Sequence, residues 1–128
     1  MKLSTPFHVL FLAAGSGERF GSARPKQYEP LCGTPVMRHA LDVFLTHPAL
    51  KSLHVIINPA HASLYQAAVH GLNLPPPIPG GKDRKESSFN GLKHLQSLGI
   101  ATPDDPVLIH DAARPFLSHQ DIDHLLEA

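Results

Sequence analysis

Phe7 to Ala13 (FHVLFLA) is an apolar run bounded by glycine, the pattern of a strand buried on both faces. Residues 14–33 then read as a loop. Thr34-Pro35 supplies an N-cap followed by proline at the first helical position. Val36, Met37, Ala40, Leu41 and Phe44 recur at helical spacing, so an amphipathic helix is expected over residues 35–47. Leu53 to Ile57 reads as a second strand stopped by Asn58-Pro59, residues 60–70 as a second helix, and Pro77 to Pro79 as a short third strand. A third helix is expected over Asp83 to Leu98. Asp83 caps it, Glu86 completes a capping box, Phe89, Leu92, Leu95 and Leu98 form its apolar stripe, and Gly99 ends it. Val107 to His110 reads as a fourth strand. Ser118 to Asp121 is a second capping box, opening a helix with Ile122, Leu125 and Leu126 on one face.

Strands and helices alternate throughout. This order predicts an α/β fold: a Rossmann-like open sheet of mostly parallel strands with helices on both faces. The 128 residues match the size of one domain, and 42% hydrophobic content is enough for an ordinary core. The sequence ends at Ala128 inside its last helix, with no stop signal before it. Residues 1–128 are therefore expected to be one domain, truncated at its C-terminal side.

The formal net charge is +0, which gives no global attraction to nucleic acid or anionic membrane, so neither is expected as a partner. The longest apolar run is too short to span a bilayer. Lys2 followed by residues 9–14 loosely mimics a signal peptide, but a loop of glycines and cations follows at once. The single cysteine, Cys32, excludes an internal disulfide and fits a reducing cytoplasm. The ten histidines are scattered, without zinc-site spacing, and no base accompanies Cys32 as a nucleophile.

Open α/β sheets bind ligands beyond the carboxyl ends of their strands, and three unusual segments fall there. The first, Ala14 to Lys26, follows strand one. Ala13, Ala14, Gly15, Ser16 and Gly17 allow close backbone approach, and successive free N–H groups make an anion nest. Arg19, Arg24 and Lys26 add full charges, the combination an oligophosphate needs. The spacing fits neither the P-loop nor the dinucleotide fingerprint. A flexible glycine turn with solvated cations satisfies it equally well. The second segment, Gly80 to Ser88 (GGKDRKESS), offers Gly80 and Gly81 for contact with a base or ribose. It also places Arg84 and Ser87 at a helix N-terminus, which favours anions. A capped helix with a solvated charged start is the plainer reading. The third, His110 to Phe116 (HDAARPF), ends a strand with Asp111, a suitable magnesium ligand, and puts Arg114 three residues on to hold a phosphate. The alternative is a loop aspartate paired to Arg114.

Together "AAGSGERFGSARPKQY", "GGKDRKESSFNGL" and "HDAARPF" resemble the 2-C-methyl-D-erythritol 4-phosphate cytidylyltransferases, in order and spacing, through nearly the whole chain. The resemblance implies a nucleotidyltransferase-type fold and transfer of a cytidylyl group from CTP to 2-C-methyl-D-erythritol 4-phosphate, with release of pyrophosphate, in non-mevalonate isoprenoid biosynthesis. It implies that Ala13 to Gly17 wrap the triphosphate and that Arg19 and Lys26 stabilise the transition state. Gly80, Gly81 and Ser87 would contact cytosine and ribose, Asp111 would hold Mg2+, and Arg114 would lie near the substrates. It further implies a cytoplasmic enzyme that is a homodimer at full length. The sequence departs from the family in two ways. Lys82 stands where members often carry an acidic residue near the base, and the resemblance covers only about the first half of the family's length. The rest holds residues that position the methylerythritol phosphate, and the dimerising arm. Some members are fused to a cyclodiphosphate synthase. Two other readings stand beside this one: a nucleotidyltransferase acting on a sugar or ribitol phosphate, and a non-catalytic nucleotide-binding fragment.

Overall fold

The structure, a computed structural model, describes residues 6–15, 25–100, 102, 104–114 and 117–127. Its centre is a four-stranded parallel sheet. The chain enters it at β1 (Phe7–Ala13), forms a short hairpin, β2 (Pro30–Leu31) and β3 (Thr34–Pro35), and continues through helix α1 (Val36–Leu45) to β4 (Leu50–Ile57). Helix α2 (Ala62–Ala68), β5 (Ile78–Pro79), α3 (Arg84–Leu98), β6 (Val107–Asp111) and α4 (His119–Glu127) complete it. The sheet order is β5-β4-β1-β6. The chain steps outward from β1 to β4 to β5, then returns to add β6 on the other side of β1. That reversal is the switch point of a doubly wound sheet, and it lies between β1 and β6.

Alternation along β1 feeds two cores. Phe7, Val9, Phe11 and Ala13 join Met37, Ala40, Leu41 and Phe44 of α1, Tyr65 and Ala68 of α2, and Ile122 of α4. Leu10 and Leu12 face the other way, onto Ile56, Ile78 and Leu95 of α3. The expected α/β architecture, with helices on both faces, is what the chain adopts.

Several local expectations are corrected. Residues 14–33 are not simply a loop: a 3-10 turn occupies Lys26–Tyr28, and the β2–β3 hairpin follows. Its two-residue turn has Cys32 at φ 55° and Gly33 at φ 82°, the double positive φ that matches strand twist in tight hairpins. Thr34-Pro35 pairs in that hairpin rather than capping α1, whose first N–H, on Val36, is met by the Glu29 carbonyl at 2.8 Å. The apolar stripe of α3 is also different. Phe89 is 63% exposed and Leu92 and Leu98 also face outward, while Ser87, Gly91 and Leu95 form the buried row. Gly91 lets α3 sit close to the sheet, since a Cβ there would lie 2.6 Å from Ile56 Cδ1 and 3.0 Å from Leu10 Cδ1. A 3.6-residue period places the stripe, but the smallest residue sets where the backbones approach.

Both ends of α3 and the start of α4 follow expectation. Asp83 Oδ1 accepts from Glu86 N–H at 2.8 Å, and Gly99 closes α3 in the left-handed region at φ 66°. At α4, Asp121 N–H donates to Ser118 Oγ (3.1 Å) and Ser118 N–H donates to Asp121 Oδ2 (3.0 Å), a reciprocal capping box. The scattered histidines hold elements together. His47 Nδ1 accepts from Ala49 N–H (3.0 Å), so its Nε2–H donates to Asp123 Oδ1 (2.8 Å) and ties α4 to the turn before β4. His8, buried on β1, bonds Ser52 Oγ (2.6 Å) and Asp105 Oδ2 (3.0 Å).

Candidate functional site

Strand register brings the expected segments to one rim. Ala13 pairs with Ile57, Ile57 with Pro79, and Leu12 with Asp111, so β1, β4, β5 and β6 end level with one another. Two backbone bonds extend the ladder past the strands: Ala112 N–H to the Leu12 carbonyl and Gly80 N–H to the Ile57 carbonyl, both 2.8 Å. Parallel packing thereby places Ala13 to Gly15, Gly80-Gly81 and Asp111 to Arg114 along the carboxyl edge, beside the switch point.

The Gly80-Gly81 pair is tightly enclosed. A Cβ on Gly80 would stand 2.5 Å from the Ala14 Cβ and 3.0 Å from Ser87 Oγ, and one on Gly81 would strike the Glu86 side chain. Ser87 is buried, and its hydroxyl accepts from Gly81 N–H at 2.9 Å. The structure therefore gives these residues a structural use besides the base and ribose contacts expected of them: they fit the start of α3 against the end of β1. Lys82 N–H donates to Glu86 Oε1 at 3.3 Å, which fixes the backbone just before α3.

Asp111 ends β6 between two cations. Arg84 Nε donates to Asp111 Oδ1 at 3.2 Å, and Arg114 Nε stands 4.0 Å from Oδ2. All three side chains are open to solvent, so these pairs are weak and easily exchanged. The turn behind them is built from backbone: Arg114 N–H bonds the Asp111 carbonyl at 3.1 Å, and His110 Nε2–H donates to the Arg114 carbonyl at 2.9 Å. Burial against Phe11 and Phe44 holds His110 below its ordinary pKa, so the neutral ring serves as that donor.

Lys26 is exposed between two buried neighbours, Pro25 and Gln27. Its turn is fixed by Tyr28 N–H to the Pro25 carbonyl (3.0 Å) and Glu29 N–H to the Lys26 carbonyl (3.1 Å). Tyr28 anchors it from below; burial and, secondarily, Tyr65 push its phenol up to about 12. Ser16, Gly17, Arg19 and Arg24 lie outside the described residues. Sequence reasoning passed over Gln27, although it stands in the quoted P-K-Q-Y: its side chain donates to the carbonyls of Ala13 (3.1 Å) and Gly15 (3.0 Å). Among the described residues no group of three or more His, Cys, Asp or Glu could hold a metal, and no helix is long and apolar enough to cross a membrane. A metal at this edge would rest on Asp111, with phosphate oxygens supplying further ligands, which suits magnesium.

Comparison with known proteins points one way. Residues 7–128 match the family described as IspD: 2-C-methyl-D-erythritol 4-phosphate cytidylyltransferase. A relative from Paramagnetospirillum magneticum, named bifunctional enzyme IspD/IspF, is 44% identical over 120 residues, which cover 94% of this chain and 30% of the relative. A crystal structure of a 4-diphosphocytidyl-2C-methyl-D-erythritol synthase superposes with a TM-score of 0.75 at 30% identity, covering 98% of this chain and 55% of that one. The Francisella tularensis 2-C-methyl-D-erythritol 4-phosphate cytidylyltransferase gives 0.73 at 28% identity, covering 96% and 51%. This chain thus spans about a third of the curated relative's length and about half of each solved chain's.

Proposed function

The chain belongs to the 2-C-methyl-D-erythritol 4-phosphate cytidylyltransferase family, and from that membership we propose that it is the nucleotide-binding part of an enzyme transferring a cytidylyl group from CTP to 2-C-methyl-D-erythritol 4-phosphate. A phosphate oxygen of the alcohol phosphate attacks the α-phosphorus of CTP. The new P–O bond forms as the bond to the β-phosphate bridge breaks, and pyrophosphate leaves. Charge grows on the α-phosphoryl oxygens and on the departing group, so positioning and fixed cations carry the catalysis.

The observation that carries this reading is the shared rim: Gly80 packed on Ala14 and Arg84 bonded to Asp111 join all three segments at the switch point. The glycine turn from Ala13 through Gly17 receives the triphosphate, and Lys26 and Arg19 stabilise the charge at the reacting phosphorus. Gly80, Gly81 and Ser87 shape the base and ribose side. Arg84 and Arg114, loosely paired with Asp111, exchange that carboxylate for phosphate oxygens. The carboxylate of Asp111 freed in this way would hold Mg2+, which would supply positive charge against the phosphates. On the same reading the enzyme works in the cytoplasm, which its single cysteine suits, and as a homodimer at full length, as the family resemblance implies.

Pyrophosphate release tests the proposal. The chain, and a longer form extended past Ala128, is given CTP, magnesium and a panel of alcohol phosphates. Release that requires methylerythritol phosphate is expected. Release only with ribitol or sugar phosphates overturns the substrate, and CTP binding without release from either form leaves a binding module.

A further inference from the structure

We infer that Gln27 is a positioning residue for phosphoryl transfer, fixing the backbone of Ala13 to Gly15 with its carbonyls turned back and tying Lys26 to that backbone; the inference rests on the function proposed above. Gln27 is 5% exposed, and its one amide nitrogen donates to two carbonyls, Ala13 at 3.1 Å and Gly15 at 3.0 Å. Both hydrogens of the NH2 group are therefore used, on a side chain almost wholly shielded from water. A trans peptide sets its N–H opposite its C=O. Fixing the Ala13 carbonyl on Gln27 thus directs the Ala14 N–H away from it, and the Gly15 carbonyl is drawn to the same side. An anion nest needs this state, with carbonyls turned back and amides left forward.

The same side chain closes a loop. Ala13 and Gly15 begin the segment and Gln27 ends it, one residue after Lys26. The 3-10 turn over Lys26–Tyr28 and the buried Tyr28 stop that end from shifting. Lys26 is thereby held by a short rigid path to the backbone that receives the phosphates. Glutamate in place of Gln27 has the same shape but sets a carboxylate oxygen, which donates nothing, where Nε2 faces the two carbonyls. Methionine matches its length and donates nothing.

The test uses the full chain, or its extended form where turnover needs it, with Gln27→Met and Gln27→Glu. Steady-state pyrophosphate release and calorimetric CTP binding are measured below the melting temperature and normalised to folded protein. Gln27→Met is expected to lower kcat/KM by about 100-fold, mostly through kcat, as for a catalytic group displaced by about 1 Å. Gln27→Glu is expected to lose as much at neutral pH and to recover part of its kcat as pH falls and the introduced carboxyl gains a proton to donate. A purely structural role lowers the melting temperature but moves neither normalised kcat nor its pH profile, and that result overturns the inference while the proposed function stands. A parent chain that binds no CTP and releases no pyrophosphate defeats the functional reading, and this inference with it.

Discussion

Arg84 Nε stands 3.2 Å from Asp111 Oδ1, so the first residue of α3 holds the carboxylate that ends β6. Twenty-seven positions separate them in the chain. The contact is solvent-exposed, and an exposed pair contributes at most about 1 kcal/mol to stability. Arg84→Ala is expected to leave the denaturant midpoint nearly unchanged. Asp111→Asn is expected to raise the magnesium concentration needed for half-maximal pyrophosphate release. An unchanged magnesium requirement removes Asp111 from the metal role.

Lys26 sits exposed on a rigid turn, between buried Pro25 and Gln27. In the reaction proposed above its ammonium acts where charge grows. Lys26→Ala is expected to slow chemistry by about 100-fold, close to 3 kcal/mol in barrier, by analogy with a lost oxyanion donor. CTP affinity, read by calorimetry, should fall much less. Equal losses in kcat and in binding would make Lys26 a ground-state contact instead.

Gly80 leaves no room for a methyl group, because the opposing atom is the Cβ of Ala14, which cannot swing aside. Gly80→Ala is expected to destabilise the fold by about 1–3 kcal/mol, the usual cost of overpacking. Ala14→Gly in the same chain should recover part of that loss, and a double-mutant cycle from urea melts measures the coupling. Strict additivity of the two changes speaks against a direct clash.

Acid should weaken the fold in two steps. Burial holds His54 and His110 below the ordinary value of 6.5; His94 and His8 add to the effect at His54. Both prefer the neutral form when folded, so the unfolded chain binds protons first. Their contribution is complete above 6.5 and is lost as pH falls through their lower folded values. Asp105 is held below the usual carboxylate range, first by His8, then by the Thr102 N–H and Lys51. Its contribution is complete above 3.8 and is lost at more acidic pH. Melting temperature followed from pH 8 to 3 should fall below about 6.5. His54→Gln and His110→Gln together should flatten the first decline; an unaltered slope assigns it to other groups.

Much of the fold was legible in the chain itself. Apolar runs, helical spacing, Asp83, Gly99 and the Ser118–Asp121 box act within a few residues, and each acts as its local chemistry dictates. The hairpin at Cys32–Gly33 went unread because its strands are two residues long and show no alternation. The buried row of α3 differs from the apolar stripe because closest approach is set by Gly91 against Leu10 of β1 and Ile56 of β4.

The rim followed from topology, since parallel strands must end together. Two things did not follow: that Ser87 faces inward to hold Gly81, and that Gln27 reaches back to Ala13 and Gly15. By itself the sequence determined the alternating elements, the caps of α3, the capping box of α4 and the residue types at each strand end, because those depend on neighbours along the chain. Only the tertiary structure decided which polar side chain meets which backbone group, because hydrogen bonds form within about 3 Å whatever the separation in sequence.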